Sequence, residues 1–247
     1  MLSGKTAFIT GSNGGIGRAI VEAFIKNGAN LICAIRKTDT EFSEYLSNIK
    51  KKTKQTVDLL EFDLENEEEM KSKIQSLYKK NITLDVLVNN AGIPSGSIFE
   101  MTSLKNLKKI FEVNFFAQIR LTQLLIRLLK KSKSSSIINL GSISGLIADR
   151  GTLAYGSSKA ALMFATKVMA NELATYKIRV NAIAPNATKT KMLDKMDESA
   201  KKFLIEQSFL NRESLPNEVA DLVLYLASDK STYLNGQIIR LDGGMKN

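Results

Sequence analysis

A buried strand that runs straight into a glycine run and then into an amphipathic helix constrains this chain more than any other feature. Lys5 to Thr10, centred on Ala7-Phe8-Ile9, reads as the strand. Gly11-Ser12-Asn13-Gly14-Gly15-Ile16-Gly17 follows, and Arg18 to Lys26 has helical periodicity. Glycines at a strand-to-helix junction let backbone N–H groups approach a pyrophosphate, and the helix N-terminus adds a favourable partial charge. The same residues also suit a tight turn that holds no ligand. Their position directly after the first strand favours the nucleotide.

Strand and helix then alternate to the end. Strands are predicted at Leu31 to Ile35, Val57 to Phe62, Leu84 to Val88, Ile137 to Leu140, Ile178 to Ala184 and Gln237 to Leu241. Helices are predicted at Glu41 to Lys51, Glu65 to Lys80, about Ser103 to Lys131, around Tyr155 and Lys159, and at Glu218 to Leu226 behind Pro216. Such alternation predicts an α/β fold: a doubly wound, seven-stranded parallel sheet with helices on both faces. Residues 1–247 are expected to form one domain. The less regular stretch of about 186–212, rich in Lys, Met and Thr, is of the kind that covers a site as a small lid.

Composition removes several chemistries. The chain has no histidine, so Ser-His-Asp and Cys-His mechanisms and the usual zinc sites lack their imidazole, and no metal is expected. Its single cysteine, Cys33, falls in a predicted core strand and reads as a small buried hydrophobe. The net charge of +10 favours polyanions such as nucleotides or acidic carriers. The lysines are scattered among acids, as in Lys50-Lys51-Lys52 and Lys130-Lys131, so no nucleic-acid partner is expected. No apolar run approaches the roughly 18 residues of a membrane span. With a strand beginning at Lys5 there is little room for a signal peptide, and the expected location is the cytoplasm.

Acid-base work must then fall to Tyr, Lys or a carboxylate. Tyr155 and Lys159 lie one helical turn apart on a shared face, where the ammonium would draw the phenol pKa down from about 10. Ser142, at the end of the fifth strand, could share the same carbonyl oxygen. The plainer alternative makes Tyr155 a half-buried helix residue and Lys159 a solvated one. At the end of the second strand the carboxylate expected to read an NAD ribose is missing, and Ile35 is followed by Arg36 and Lys37. A 2′-phosphate needs cations, so Arg36 favours NADP(H) over NAD(H); otherwise Arg36 is one more surface base. Asp63 could meet an adenine amino group or cap the next helix. Asn89-Asn90-Ala91-Gly92 suits a loop that braces the cofactor, or a structural turn. Asn114 interrupts an apolar helix face, so it either bonds a helix carbonyl or holds a water for proton relay.

In order along the chain stand Thr10-Gly11-x-x-x-Gly15-x-Gly17, Asn89-Asn90-Ala91-Gly92, Asn114, Ser142, Tyr155-x-x-x-Lys159 and Asp242-Gly243-Gly244. With these motifs the chain resembles the short-chain dehydrogenase/reductase family over essentially its whole length, and within it the 3-oxoacyl-acyl-carrier-protein reductase branch. The resemblance implies a Rossmann-type sheet and hydride transfer from NADPH to a carbonyl. Tyr155 would protonate the oxygen, Ser142 orient it, Lys159 hold the nicotinamide ribose and lower the Tyr155 pKa, and Asn114 position a relay water. The cofactor set it implies is Gly11, Ser12, Asn13, Gly15, Ile16, Arg36, Asp63, Leu64, Asn90, Ala91, Gly92, Tyr155, Lys159, Pro185, Thr188 and Thr190. It also implies a homotetramer and a carbonyl substrate, either small or linked to acyl carrier protein. Sugar, polyol or other secondary-alcohol substrates are the alternative. Two places depart from the family pattern: Asn186 and Thr188 stand where Gly and an apolar residue are usual, and Ile93-Pro94-Ser95-Gly96 replaces an Arg-Asp pair. Lys189, Lys191, Lys195, Lys201 and Lys202 in the lid would suit an acidic carrier.

Overall fold

The computed structural model describes residues 1–245, apart from the side chain of Lys195. Seven parallel strands form one sheet: β1 Thr6–Thr10, β2 Asn30–Ile35, β3 Val57–Glu61, β4 Val86–Asn89, β5 Ser135–Leu140, β6 Ile178–Pro185 and β7 Ile238–Leu241. Among the described residues, eight α-helices lie between and around them: α1 Gly15–Lys26, α2 Thr40–Lys52, α3 Glu67–Lys79, α4 Leu104–Phe111, α5 Ala117–Leu129, α6 Leu153–Leu173, α7 Glu198–Glu206 and α8 Pro216–Ala227.

The alternation of strand side chains builds two cores from one sheet. Ala7 and Ile9 of β1, with Leu31, Cys33 and Ile35 of β2, point to the face covered by α1, α2 and α8. Phe8, Ile32 and Ala34 point to the opposite face, under α3, α5 and α6. Burial on both faces explains why these strands read as near-continuous apolar runs. Cys33 is part of the first core, and burial pushes its thiol up to about 12.

The strand order is β3-β2-β1-β4-β5-β6-β7. The chain winds outward from β1 to β3 and returns to lay β4 against the other side of β1. In such sheets a crevice opens beyond the C-terminal strand ends where the direction reverses. Thr10, Asn89, Leu140 and Pro185 all end strands on that edge.

The predicted helix over 103–131 is interrupted. Between α4 and α5, Glu112–Phe116 forms a π turn that contains Asn114. Helical periodicity continues through such a turn, so the pattern of apolar residues does not show it. The helix predicted from Glu65 begins at Glu67, because Asn66 accepts from the Glu69 N–H at 3.1 Å and caps it. The stretch 186–212 contains α7 and a short parallel bridge between Thr188 and Ser214.

The glycine run is sterically required where α1 meets β1. A Cβ on Gly17 would stand 2.1 Å from the Gly11 carbonyl oxygen, whereas one on Gly96 would meet nothing within 4 Å. Gly17→Ala is expected to cost about 3 kcal/mol in urea unfolding, and Gly96→Ala less than about 0.5 kcal/mol. Equal midpoints for the two variants would contradict this packing.

Candidate active site

The glycine loop is held by β4 across the reversal of strand order. The Thr10 hydroxyl accepts from the N–H groups of Asn90 and Ala91, both at 2.9 Å. Asn90 Nδ2 donates to the carbonyls of Thr10 (2.9 Å) and Gly11 (3.1 Å). The Asn90 amide therefore braces the loop. Ser12 is fully buried and donates to the Ala34 carbonyl at 3.2 Å, and Ile16 packs on the core. The side chains of Ser12 and Ile16 thus turn inward, leaving backbone to line the crevice. Helix α1 starts behind Gly14 with no side-chain cap and no acid in its first turn. Its first N–H groups, on Gly15 to Gly17, remain without intrahelical partners.

Around this loop stand the remaining residues expected near a cofactor. Asn13 donates to Asp39 at 2.9 Å, and Asp39 in turn caps α2 by accepting from Phe42 N–H at 3.0 Å. Arg36 lies exposed at the end of β2, with no ion pair or hydrogen bond among the described residues. Asp63 accepts from the Glu65 N–H at 3.0 Å in a local turn, so it does not cap α3. Leu64 packs against the second core. Beyond Pro185, Asn186 donates from its backbone to Leu241 (3.1 Å) and from its side chain to the Leu204 carbonyl of α7 (3.1 Å). Thr188 is buried against Ser214, hydroxyl to hydroxyl at 2.8 Å. Thr190 rests on the glycine loop: a Cβ on Gly15 would lie 2.7 Å from its methyl group. The substitutions at 186 and 188 thus tie the segment down.

At the ends of β4 and β5 a second group gathers. Gly141 and Ser142 follow β5, and Ser142, 8% exposed, accepts from the Ser144 N–H at 3.2 Å to start a tight turn. Helix α6 presses onto that turn through glycines. A Cβ on Gly156 would stand 2.4 Å from the Ser144 carbonyl, and one on Gly145 would stand 2.7 Å from Ala160 N. This close approach brings Tyr155 to Ser142. Lys159, only 4% exposed, donates to the Leu140 carbonyl at 2.7 Å, and its Nζ lies 5.8 Å from the Tyr155 ring centroid. From the π turn, Asn114 Oδ1 accepts from Ile93 N–H at 2.8 Å. Its Nδ2 donates to the Ile93 carbonyl (3.0 Å) and to Ser158 (3.2 Å). Asn114 therefore bonds the loop after β4 and α6, rather than a carbonyl of its own helix. A Cβ on Gly92 would meet both Asn114 Oδ1 (3.2 Å) and Lys159 Nζ (3.3 Å), so glycine leaves the room in which they converge.

The ionisation pattern corrects one sequence expectation. Burial pushes the Tyr155 phenol up, and the nearby Ser142 hydroxyl partly offsets this. Burial also lowers Lys159 to about 8. The helical spacing places the two groups together, but burial is the largest influence on the phenol and decides the direction.

The family described as Enoyl-(Acyl carrier protein) reductase matches residues 11–246 of this chain. The chain is 34% identical over 248 residues to the 3-oxoacyl-(acyl-carrier-protein) reductase FabG of Thermotoga maritima, covering 99% of this chain and 98% of that protein. It is 35% identical over 244 residues to the enzyme of the same name from Rickettsia felis, with the same coverage of each. This chain belongs to the short-chain dehydrogenase/reductase family. A crystal structure provisionally assigned as a gluconate dehydrogenase of Agrobacterium tumefaciens superimposes on this oxidoreductase with a TM-score of 0.91. It is 27% identical, over 99% of this chain and 96% of that one.

Several residues of this short-chain dehydrogenase/reductase site were not singled out by sequence. Asp39 and Ser158 act through hydrogen bonds to groups distant in the chain, and Thr10, named only as the start of the glycine motif, braces the loop after β4. Below the site Asn89 Nδ2 donates to Thr122 (3.1 Å) and Asn139 (2.8 Å), and Asn139 Nδ2 donates to Thr166 (2.8 Å). This buried ladder fixes β4 and β5 against α5 and α6.

Lys159 carries a stability signature. Its folded pKa of about 8 lies below the ordinary 10.5, so burial disfavours the charged form that the unfolded chain keeps. The unfolded chain binds more protons between those values, and this group's contribution to stability rises as pH climbs through that window. Lys159→Met is expected to stabilise the fold at pH 7 by on the order of 2 kcal/mol, an advantage that shrinks toward pH 10. Thermal melts of both proteins across pH check this; a destabilised variant at pH 7, or a pH-independent difference, would contradict it.

Proposed function

We propose that this protein is an NADP(H)-dependent oxidoreductase that reduces a carbonyl to a secondary alcohol. Its proposed substrate is a 3-oxoacyl thioester, converted to the 3-hydroxyacyl thioester. The observation that carries the proposal is the convergence of the Ser142 hydroxyl, the Tyr155 phenol and a buried Lys159 ammonium at the strand edge that also bears the glycine cradle. The cradle suits a dinucleotide: its glycines bring backbone close, and the uncapped α1 N-terminus offers N–H groups to a pyrophosphate.

A nicotinamide cofactor would supply the hydride when bound there. Tyr155 donates its proton to the carbonyl oxygen, and its raised pKa keeps the phenol protonated for that task. Ser142 orients the oxygen, and Lys159 would hold the nicotinamide ribose while its positive charge stands beside the developing alkoxide. Asn114 fixes the Gly92-Ile93 backbone and keeps acceptor capacity on Oδ1 for a relay water. Backbone at Gly11, Ser12, Asn13, Gly15 and Ile16 would hold the pyrophosphate. Asp63 and Leu64 would hold the adenine side, and Asn90, Ala91, Gly92, Pro185, Thr188 and Thr190 the nicotinamide half. Arg36 and its lack of a carboxylate partner favour NADP(H) over NAD(H).

In this reading residues 1–247 are one domain in which 186–212 forms the lid, and the enzyme works in the cytoplasm. The names of the Thermotoga and Rickettsia relatives support the thioester and acyl carrier protein as partner. The lid lysines support it less: Lys201 pairs with Glu213 and Lys202 with Glu206, while the Lys195 side chain lies outside the described residues. A homotetramer is favoured by apolar side chains left exposed on the helices that follow β4 and β5, among them Leu104 (71%), Phe116 (53%) and Phe164 (69%). A sugar-acid or polyol substrate is the second reading, favoured by the Agrobacterium structure and by the Ile93-Pro94-Ser95-Gly96 loop.

Purified protein should oxidise NADPH with acetoacetyl thioester. Tyr155→Phe should lower kcat by about 10³-fold while leaving the NADPH Kd within about twofold. A near-normal kcat would remove Tyr155 as the acid. Turnover confined to polyols or sugar acids in a substrate panel would replace the thioester by the second reading.

A further inference from the structure

The turn after Thr188 has a fixed seat beside the glycine loop. The Lys189 N–H donates to Ser214 at 2.9 Å, and the Ser214 N–H donates to Ala187 at 2.9 Å. Thr190 donates its hydroxyl to the Thr188 carbonyl at 3.2 Å, and its methyl covers Gly15. Lys191 follows directly on the residue that covers Gly15, within electrostatic reach of Asp39, which Asn13 hydrogen-bonds. Its ammonium contributes to holding the Asp39 carboxyl below the usual carboxylate range, behind the hydrogen bonds from Phe42 and Asn13.

The charges on this rim are unevenly matched. Arg18 is paired with Glu41 at 2.7 Å and stacks over Tyr45 at 4.5 Å. Arg36, Lys37 and Lys191 are exposed and have no ion pair among the described residues. Asp39 is an anion on the same rim, and a cofactor phosphate brought there would be repelled by it unless a cation stood alongside.

We infer that Lys191 is a ligand of the cofactor's 2′-phosphate, placed by the lid across the glycine loop and acting with Arg36, which comes from the end of β2. This deepens the NADP(H) reading and rests on it. One site then draws cations from two separate parts of the chain, the end of β2 and the segment seated on the glycine loop. Lys191 also screens the phosphate from Asp39, which must stay where it is to cap α2 and hold Asn13.

Calorimetric Kd values for NADPH, NADH and adenosine 2′,5′-bisphosphate, measured on the full chain and on Lys191→Gln and Lys191→Arg, test this. Lys191→Gln should weaken NADPH and the bisphosphate about tenfold and NADH less than about twofold, with Lys191→Arg restoring most of the loss. Equal weakening of NADPH and NADH would assign Lys191 to the lid or the pyrophosphate and overturn the inference. An unmoved ratio in a wild type that prefers NADPH would overturn it too, leaving the NADP(H) reading intact. A wild type that does not prefer NADPH would overturn both.

Discussion

A lysine ammonium buried with no carboxylate partner among the described residues is the constraint on which the rest of this site depends. Removing such a charge from water costs several kcal/mol unless dipoles replace the lost hydration. Here the Leu140 carbonyl takes one N–H of Lys159 at 2.7 Å, and its place among Gly92, Asn114 and the Tyr155 ring supplies the remaining surroundings. The fold tolerates the cost because α6, β4 and β5 are locked together beneath it by the Asn89–Asn139–Thr166 ladder. A cation held in that state is available to ligand oxygens that bring negative charge, which is what hydride transfer to a carbonyl generates.

The sheet supplies the other half of the geometry. Because β4 returns beside β1, the glycine loop and the loop after β4 face each other at one edge, and Thr10 and Asn90 tie them with four hydrogen bonds. The segment after β6 crosses the same edge and lands on Gly15 through Thr190. Backbone from three strand ends thus surrounds the crevice. Side chains that interrupt it, such as Tyr155 and Ser142, come from the one helix and turn that approach through glycines.

Much of this was legible in the sequence. Near-continuous apolar runs separated by amphipathic stretches identified all seven strands and their parallel arrangement, since a strand buried on both faces has no polar side to display. The glycine run and Tyr155-x-x-x-Lys159 stood out because backbone approach and helical spacing are local properties. What escaped depends on distance in the chain. The π turn at Asn114 preserves the apolar stripe, so nothing in the spacing marks it. Asn90 reads equally well as a cofactor contact or a brace until Thr10 is seen opposite it. The Tyr155 pKa was read from proximity to Lys159, but its direction is decided by desolvation, which no spacing encodes. Asn186 and Thr188, departures from the family pattern, turn out to fasten the segment over the site through Leu204 and Ser214.

The central claim, a desolvated cation beside the phenol, is most directly tested by titrating the Lys159 side-chain nitrogen. With ¹⁵N-labelled lysine, and the resonance assigned by its loss in a Lys159 variant, the account predicts a midpoint near 8. A midpoint near the ordinary 10.5 would show a solvated ammonium and contradict it.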